Sequence, residues 1–329
     1  MKKLLTFLLS LIFVIAPLSA CKKDGDLKKL EINEVTHSVF YAPLYLAIEK
    51  GYFEEEGLEI NLTNGGGADK SMTAVLSKTA DIGLMGPETV IYIENQGKSD
   101  LPKVFGQLTQ KDGSFLVSRI EEPNFDWNNL KGKEILAGRK GGVPAMTFEY
   151  VLNNLNLFNG HDLTLNFDVQ FNLMTSAFLG GTADYCTVFE PTASEYEKEG
   201  KWHIVASVGE KSGEIPYTSF IALESFIKDN EETVIKFLTA MKKAFDFIKN
   251  NSEYEVAVAI VKQFPSTSIS SIETSIKSYK KIDAWKTDMQ ATEDSFNRLQ
   301  DVMINAGELK NKVAFSSLVD NTLAKRVFG

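Results

Sequence analysis

The chain has 329 residues, with Lys plus Arg at 35 against Asp plus Glu at 44, a net charge of −9, and 43% hydrophobic content. That acidic balance argues against nucleic acid or anionic lipid as a partner, since both carry the same sign of charge. Two cysteines and three histidines leave little material for a disulfide framework or a metal site.

The chain opens with Lys2 and Lys3, an apolar run from Leu4 to Ile15, Pro17, and then "LSAC" at 18 to 21. A charged start, an apolar stretch too short for a comfortable membrane span, and small residues ahead of a thiol predict a signal peptide over residues 1–20 with a lipobox and lipid on Cys21. An uncleaved anchor helix is the competing reading, and the polar, linker-like "KKDGD" that follows argues against it. Acyl chains contribute about 0.8 kcal/mol per buried methylene, so a lipidated Cys21 holds the body at an extracytoplasmic membrane surface without a spanning helix. Loss of residues 1–20 takes Lys plus Arg from 35 to 33 against 44 acids, a net of about −11, and leaves Cys186 with no intrachain disulfide partner.

After a linker over 21–29, short β-type runs alternate with helical ones: "LEINEV", "PLYLAIEKG", "LEINLT", "ADKSMTAVLSK", "ADIGLMG" and "PETVIYIENQ". This alternation predicts βαβ units and a mostly parallel sheet. After "PKVFGQLTQ" and "SFLVSR" it restarts with "KEILAG", "PAMTFEYVLNNL", "LNFDVQF", "MTSAFLGG", "ADYCTVF" and "WHIVASVG", which predicts a second α/β lobe. Beyond "PYTSFIAL" the pattern turns helical: Val234, Phe237, Leu238, Met241, Ala244, Phe245 and Ile248 recur at three- and four-residue spacing and paint one apolar stripe. Further helices are predicted over about 253–264, 270–285, 293–306 and 316–327, separated by turn and capping residues.

Two segments echo each other. "MTAVLSKTADIGLMGPE" at 72–88 and "MTSAFLGGTADYCTVFEP" at 174–191 share Met-Thr, a helix, Thr-Ala-Asp, a buried strand and then Glu beside Pro, namely Glu88 after Pro87 and Glu190 before Pro191. Ligands of open α/β sheets bind outside the carboxyl ends of strands, so the two carboxylates are candidates to face one another across a cleft. The plainer alternative is that each Glu simply starts a helix.

The loop "NGGGADKSM" at 64–72 tests for a phosphate cradle. It fails GxxxxGK[ST], because Asn64 and Asp69 stand where glycines belong, and it fails GxGxxG, because Lys70 takes the third glycine position. What remains is flexible backbone ahead of a helix whose free N–H groups suit a ligand's polar end, or a tight strand-to-helix turn capped by Asp69. "AGRKGGVPAM" at 137–146 repeats the design, with Lys140 beside Gly141 and Gly142; Arg139 and Lys140 taken alone read as solvated loop charges. Searches for an enzyme give little: His37, His161 and His203 lack metal spacing, and "GEKSG" at 209–213 misses the nucleophile elbow, so no catalytic residue, cofactor or metal is expected. In "THSVFYAPLYLAIEKGYFEEEGLEI", His37, Ser38, Phe40 and Tyr41 follow the first strand, where aromatic rings could stack on a ligand.

Together, "APLYLAIEKGYFEEEGLEI", "GGGADKSMTAVLSKTADIGLMGPE", "AGRKGGVPAM" and "DYCTVFEPTASEYEKEG" behind a lipobox resemble the solute-binding proteins of ABC importers, in the superfamily of alkanesulfonate, taurine, nitrate, bicarbonate and thiamine-pyrimidine-precursor receptors. The resemblance implies an α/β, two-lobed, type II periplasmic-binding-protein-like fold with two hinge crossings, near 109–113 and 213–217, and C-terminal helices bracing the hinge side. The first lobe would comprise 30–111 and 216–329, the second 112–215. It implies a monomer closing on a small molecule that passes to ABC permease subunits. It also places Ser38, Phe40, Tyr41, Gly66, Gly67, Ala68, Asp69, Lys70, Ser71, Pro87, Glu88, Lys140, Gly141, Gly142, Val143 and Glu190 around the cleft.

Two cleft carboxylates and an aromatic loop favour a flat, nitrogen-bearing ligand such as a thiamine-type aminopyrimidine. Two glycine-opened helix starts and Lys140 favour a sulfonate, taurine or nitrate-type anion instead. Dry carboxylates facing an anion would cost several kcal/mol, which tilts the expectation to the nitrogenous ring. Outside the receptors, a pyridoxal-phosphate-dependent pyrimidine-precursor synthase is disfavoured by the export signal and the lone Cys186. A surface adhesion lipoprotein would have no need of glycine loops at strand ends in both lobes.

Overall fold

The computed structural model describes residues 27–97 and 99–329, so the segment expected to be a signal peptide and Cys21 lie outside the described residues. In chain order the strands are β1 (Lys28–Glu34), β2 (Leu58–Asn64), β3 (Ile82–Met85), β4 (Pro102–Thr109), β5 (Ser114–Ser118), β6 (Glu134–Leu136), β7 (Thr164–Asn166), β8 (Tyr185–Phe189), β9 (His203–Ser207) and β10 (Thr218–Leu223). They form two sheets of matching design, ordered β2-β1-β3-β10-β4 and β7-β6-β8-β5-β9. β1 is parallel to β2 and β3, and β6 is parallel to β7 and β8. Each sheet also holds one strand antiparallel to both neighbours, β10 in the first and β5 in the second. That strand is the first the chain makes on crossing into the sheet, which is why alternation of βαβ type alone predicted too parallel a sheet.

The crossings run side by side. β4 and β10 pair up to Thr109 and Thr218, Tyr217 N–H then donates to Thr109 O at 3.1 Å and Ile215 N–H to Gln110 O at 3.0 Å. The first crossing is held further by Gln110 N–H to Ala284 O at 2.8 Å, from the segment between the helices Ile269–Lys281 and Glu293–Asn305.

The sequence echo has a physical counterpart. Asp81 accepts from Glu31 N–H at 2.9 Å while its own N–H donates to Glu31 O at 2.8 Å; Asp184 does the same with Glu134, at 3.0 and 2.8 Å. Each Thr-Ala-Asp therefore pins the start of its strand, β3 or β8, to the parallel neighbour, β1 or β6, through a reciprocal pair of hydrogen bonds.

The helix Glu231–Asn250 buries the whole predicted stripe, with Phe237 stacked on Phe53 at 5.2 Å and edge-on to Phe220 at 4.9 Å. Burial of each such side chain is worth about 1.5–3 kcal/mol, which commits this helix to the first sheet. The second lobe has a smaller core of its own around Leu116, Ile135, Phe148, Val151, Leu152 and Tyr185. Two predicted elements come out shorter. "LNFDVQF" leaves the sheet after Asn166, whose side chain accepts from Asp168 N–H at 3.0 Å and turns the chain. The last predicted helix breaks into Phe315–Leu318 and Thr322–Phe328, because Val319 bridges to Val104 and Asp320 caps Thr322 N–H at 2.9 Å. No described helix is long and apolar enough to cross a membrane.

Candidate functional site

The carboxyl ends of the parallel strands in both sheets converge on one cavity of about 80 Å³. Val35 and Thr36 come from the end of β1, Gly67 and Ala68 from beyond β2, and Gly86 and Glu88 from beyond β3. The other lobe supplies Arg139, Gly142, Val143 and Pro144 after β6, Phe171 after β7 and Phe189 at the end of β8. Tyr217 and Thr218 complete it from the second crossing. This is the position at which open α/β sheets bind ligands.

Much of the wall is aromatic. Phe40 is the hub, 5.9 Å from Phe189, 5.8 Å from Tyr217 and 5.8 Å from Tyr41 between ring centroids, with Phe171 packed edge-on to Phe189 at 5.8 Å. Gly113 permits this, because a Cβ there would sit 2.6 Å from the Phe40 ring. Ser38 fixes the loop: its Oγ caps Phe40 N–H at 3.2 Å and donates to Glu190 O at 2.8 Å, tying the first lobe to the second. Tyr92 makes a second tie, donating to Gly141 O at 2.9 Å, and Asp69 and Arg139 a third at 3.8 Å.

Glu88 is the buried acid of the wall. It is 2% exposed, starts the helix Glu88–Glu94, and its Oε2 has no hydrogen-bond partner. A Cβ on Gly86 would lie 2.1 Å from that oxygen, so only glycine lets the carboxyl fold back over the turn. Burial pushes its pKa up to about 7, against the pull of its own N–H, of the Val143 and Thr89 N–H groups and of the Arg139 guanidinium. The Val143 N–H opens the helix Val143–Asn154 of the opposite lobe, so that helix start already faces a carboxyl group.

Of the residues expected around the cleft, Ser38, Phe40, Tyr41, Gly67, Ala68, Glu88, Gly142 and Val143 line this cavity. The others stand elsewhere. Gly66 holds the left-handed turn at φ 69°, with its N–H on Asn64 Oδ1 at 2.8 Å. Ser71 is buried, donating to Asn33 Oδ1 at 2.6 Å and pinning the helix Ala68–Leu76 to β1. Lys70 is exposed, and Pro87 is buried in the turn ahead of Glu88. Asp69, Lys140 and Gly141 line a neighbouring outer pocket of about 430 Å³ with Tyr92 and Glu308. The second lobe's inward cation is Arg139, which borders both spaces, rather than Lys140. Gly138 at φ 95° and Gly141 at φ 77° set the loop's path and so decide which of the two basic residues turns in.

Glu190 corrects the expectation of two facing carboxylates. Its Oε1 accepts from Ser194 Oγ at 2.6 Å and its Oε2 from Ser194 N–H at 3.0 Å, so both oxygens are taken up by the first turn of the helix that follows it, Thr192–Lys198. Sequence reasoning missed Phe171, Phe189 and Tyr217 in the wall. Phe189 was visible as the residue before Glu190 at the end of a buried strand, whereas Tyr217 enters only because the crossings pair. Among the described residues no group of three His, Cys, Asp or Glu side chains is placed to hold a metal.

The family model described as NMT1/THI5 like matches residues 39–254. The provisionally named binding protein YtlA of Bacillus subtilis strain 168 is 45% identical over 316 residues, covering 96% of this chain and 95% of that one. A provisionally named aliphatic sulfonates-binding protein of the same strain is 24% identical over 333 residues, covering 99% and 97%. In fold, the alkanesulfonate-binding protein SsuA from Xanthomonas axonopodis pv. citri, bound to MOPS, superposes with a TM-score of 0.72 at 16% identity, over 90% of this chain and 99% of that one.

Proposed function

The chain belongs to the NMT1/THI5-like family, and from that premise we propose that it is the extracytoplasmic solute-binding protein of an ABC importer. It is anchored by lipid on Cys21 and closes as a monomer on a small, flat, nitrogen-bearing molecule such as a thiamine-type aminopyrimidine, for delivery to the permease. The lobes are residues 30–111 with 216–329, and 112–215, and the ligand sits in the cavity between them. The observation that carries the ligand class is Glu88, a buried carboxyl with an unpartnered oxygen in a wall of aromatic rings. A ring with exocyclic N–H donors answers both features, by packing against the aromatic wall of Phe40, Phe189 and Tyr217 and by donating to Glu88.

A second reading, a sulfonate, has Arg139 and the glycine-opened helix starts at Ala68 and Val143 in its favour, together with the name of the 24% identical relative. Against it, Arg139 leans toward Asp69, and the Val143 N–H already faces Glu88. An anion would have to displace that carboxyl or find it protonated.

The test is a thermal-shift and calorimetric panel of aminopyrimidines, alkanesulfonates, taurine and nitrate. A ligand at a hundred times its Kd adds about 2.7 kcal/mol of stability, a shift of several degrees. A response to aminopyrimidines that Glu88→Gln abolishes supports the reading; a response to sulfonates that survives Glu88→Gln overturns it.

A further inference from the structure

The residue that precedes Ser38 touches neither the cavity nor the opposite lobe, and yet its surroundings are built around it. His37 Nδ1 lies 2.7 Å from Glu34 Oε1, and His37 Nε2 lies 2.9 Å from the backbone oxygen of Gln263. The ring is packed between Tyr45 and Phe264, at 4.6 and 4.8 Å between centroids. A backbone carbonyl only accepts, and an ionised carboxylate only accepts, so both ring nitrogens must donate. A neutral imidazole has one N–H. With Glu34 ionised, loss of the second proton would turn a ring lone pair onto one of those two oxygens.

We infer that His37 is a positioning residue of the solute site: as an imidazolium it clamps the end of β1 to the C-terminal helical region, and so fixes the Thr36–Ser38–Phe40 loop against the cavity. The clamp continues into the wall. Glu34, 1% exposed, accepts on its other oxygen from Tyr45 O–H at 2.6 Å; the Tyr45 oxygen accepts from Ser38 N–H at 3.2 Å; and Ser38 Oγ reaches Glu190 O in the second lobe. Gln263 is held in turn, its amide donating to Glu49 Oε1 at 2.6 Å. The groups facing the ring are thus Glu34 from β1, Tyr45 and, through Gln263, Glu49 from the helix Ala42–Glu49, with Tyr41 acting on Tyr45. Among the described residues no cation joins them. Burial alone lowers the pKa of His37, but the hydrogen bond to Glu34, the charge of Glu34 and the Gln263 carbonyl raise it further, for a net rise. A proton shared from Glu34 to a neutral ring would hold the same single proton in the pair, so the clamp depends on that proton wherever it is drawn.

The link to solute rests on the reading of the cavity as the ligand site, whereas the proton itself can be read without any ligand. The chain has three histidines, at 37, 161 and 203, so nuclear magnetic resonance titration of their ring nitrogens, with His37→Gln as the assignment control, isolates His37. The expected midpoint lies above the ordinary value of about 6.5. Ser38 and Phe40 amide signals should shift with the same midpoint, and Glu34→Gln should lower it by about one unit or more, a tenfold weaker hold on the proton. A midpoint at or below the ordinary value, or loop amides that ignore it, would overturn the assignment.

Calorimetry with the hydroxymethyl aminopyrimidine of thiamine, between pH about 6 and about 8.5, then tests positioning. Relative to His37→Gln, the wild-type protein should lose affinity severalfold as pH rises, a difference that separates His37 from the titration of Glu88. Identical pH profiles in the two proteins would overturn it. If the wild type takes up no aminopyrimidine while His37 and the loop amides still titrate together, the ligand reading fails and the clamp stands.

Discussion

Glu88 and Glu190 end the same motif in two lobes of the same design, and they have opposite lives. Both follow a Thr-Ala-Asp whose aspartate makes the same pair of hydrogen bonds, and both are buried, at 2% and 1% exposure. Four residues on, Glu190 meets Ser194, which supplies both a hydroxyl and an N–H; four residues on from Glu88 stands Tyr92, whose hydroxyl is spent on Gly141 across the cleft. One carboxyl is therefore consumed by its own helix and the other is left in the cavity wall with an unpartnered oxygen. The duplicated frame conserves stability at both positions only if the local partner is present. Where it is missing, the frame presents an unpartnered polar group to whatever the lobes enclose.

The widest split between the two should appear in stability against pH. The folded pKa of Glu88, about 7, lies above its ordinary 4.5, so the folded protein binds the proton more tightly than the unfolded chain. Its stabilising contribution is complete below about pH 4.5 and is lost as pH rises to about 7, a fall on the order of 3 kcal/mol. Glu88→Gln should remove that fall, seen as urea midpoints that flatten across this window relative to the wild type. Asp112 on the first crossing has a pKa likewise raised by burial to about 7 and contributes a similar slope to both proteins, so the difference between them is the quantity to read. Burial raises the pKa of Glu190 in the same direction, with the Ser194 hydroxyl and N–H pulling it back, so Glu190→Gln should flatten part of the slope but give up one of its two bonds to Ser194, at a cost of about 0.5–1.5 kcal/mol. If Glu190→Gln gained as much stability at neutral pH as Glu88→Gln, the contrast drawn between the two carboxyls would be wrong.

Affinity should separate them next. A hydrogen bond to a charged group is worth about 1.5–3 kcal/mol, so Glu88→Gln should weaken aminopyrimidine binding by roughly ten- to a hundredfold in calorimetry. Glu190→Gln should leave it within a few fold, because its carboxylate faces Ser194 rather than the cavity. A smaller effect tests the likeness rather than the contrast: Asp81→Ala and Asp184→Ala each remove one backbone hydrogen bond from equivalent places. Equal losses of about 1 kcal/mol in denaturant melts would confirm that the two lobes carry the same device.

How far these positions could be read in sequence follows from the range of their contacts. The alternation of strands and helices, the stripe on Glu231–Asn250 and the echo were legible because each depends on neighbours within one or two turns of chain. The partner of Glu190 was also local, with Ser194 inside the quoted motif, but a Glu before Pro reads equally well as a cleft residue until the side chain is placed. Tyr217 joins Phe40 only through the crossing geometry, and Arg139 only where the two lobes meet. For His37 the sequence offered only the lack of metal spacing and a place after the first strand, because its second acceptor, Gln263, is 226 residues away. Which of Arg139 and Lys140 turns inward depends on two left-handed glycines whose angles no spacing rule specifies.

The smallest expected effect concerns the loop whose three glycines suggested a phosphate. Gly65 is there because a Cβ would sit 2.5 Å from Asn33 Oδ1 and 2.7 Å from Ser71 Oγ, and Gly66 because its φ is 69°; both needs are met within the first lobe. Asp69 lies beyond them with its side chain 62% exposed, and its partner Arg139 is 38% exposed at 3.8 Å. A solvated pair of this kind contributes about 0–1 kcal/mol. Asp69→Asn should therefore change solute affinity by no more than about fivefold, and any change should shrink as salt is raised, since an exposed pair is screened. A larger loss that persists in high salt would mean that Asp69 turns into the cavity and touches the solute. The first lobe would then supply two acids to the ligand, and Asp69 would take the part that sequence reasoning assigned to Glu190.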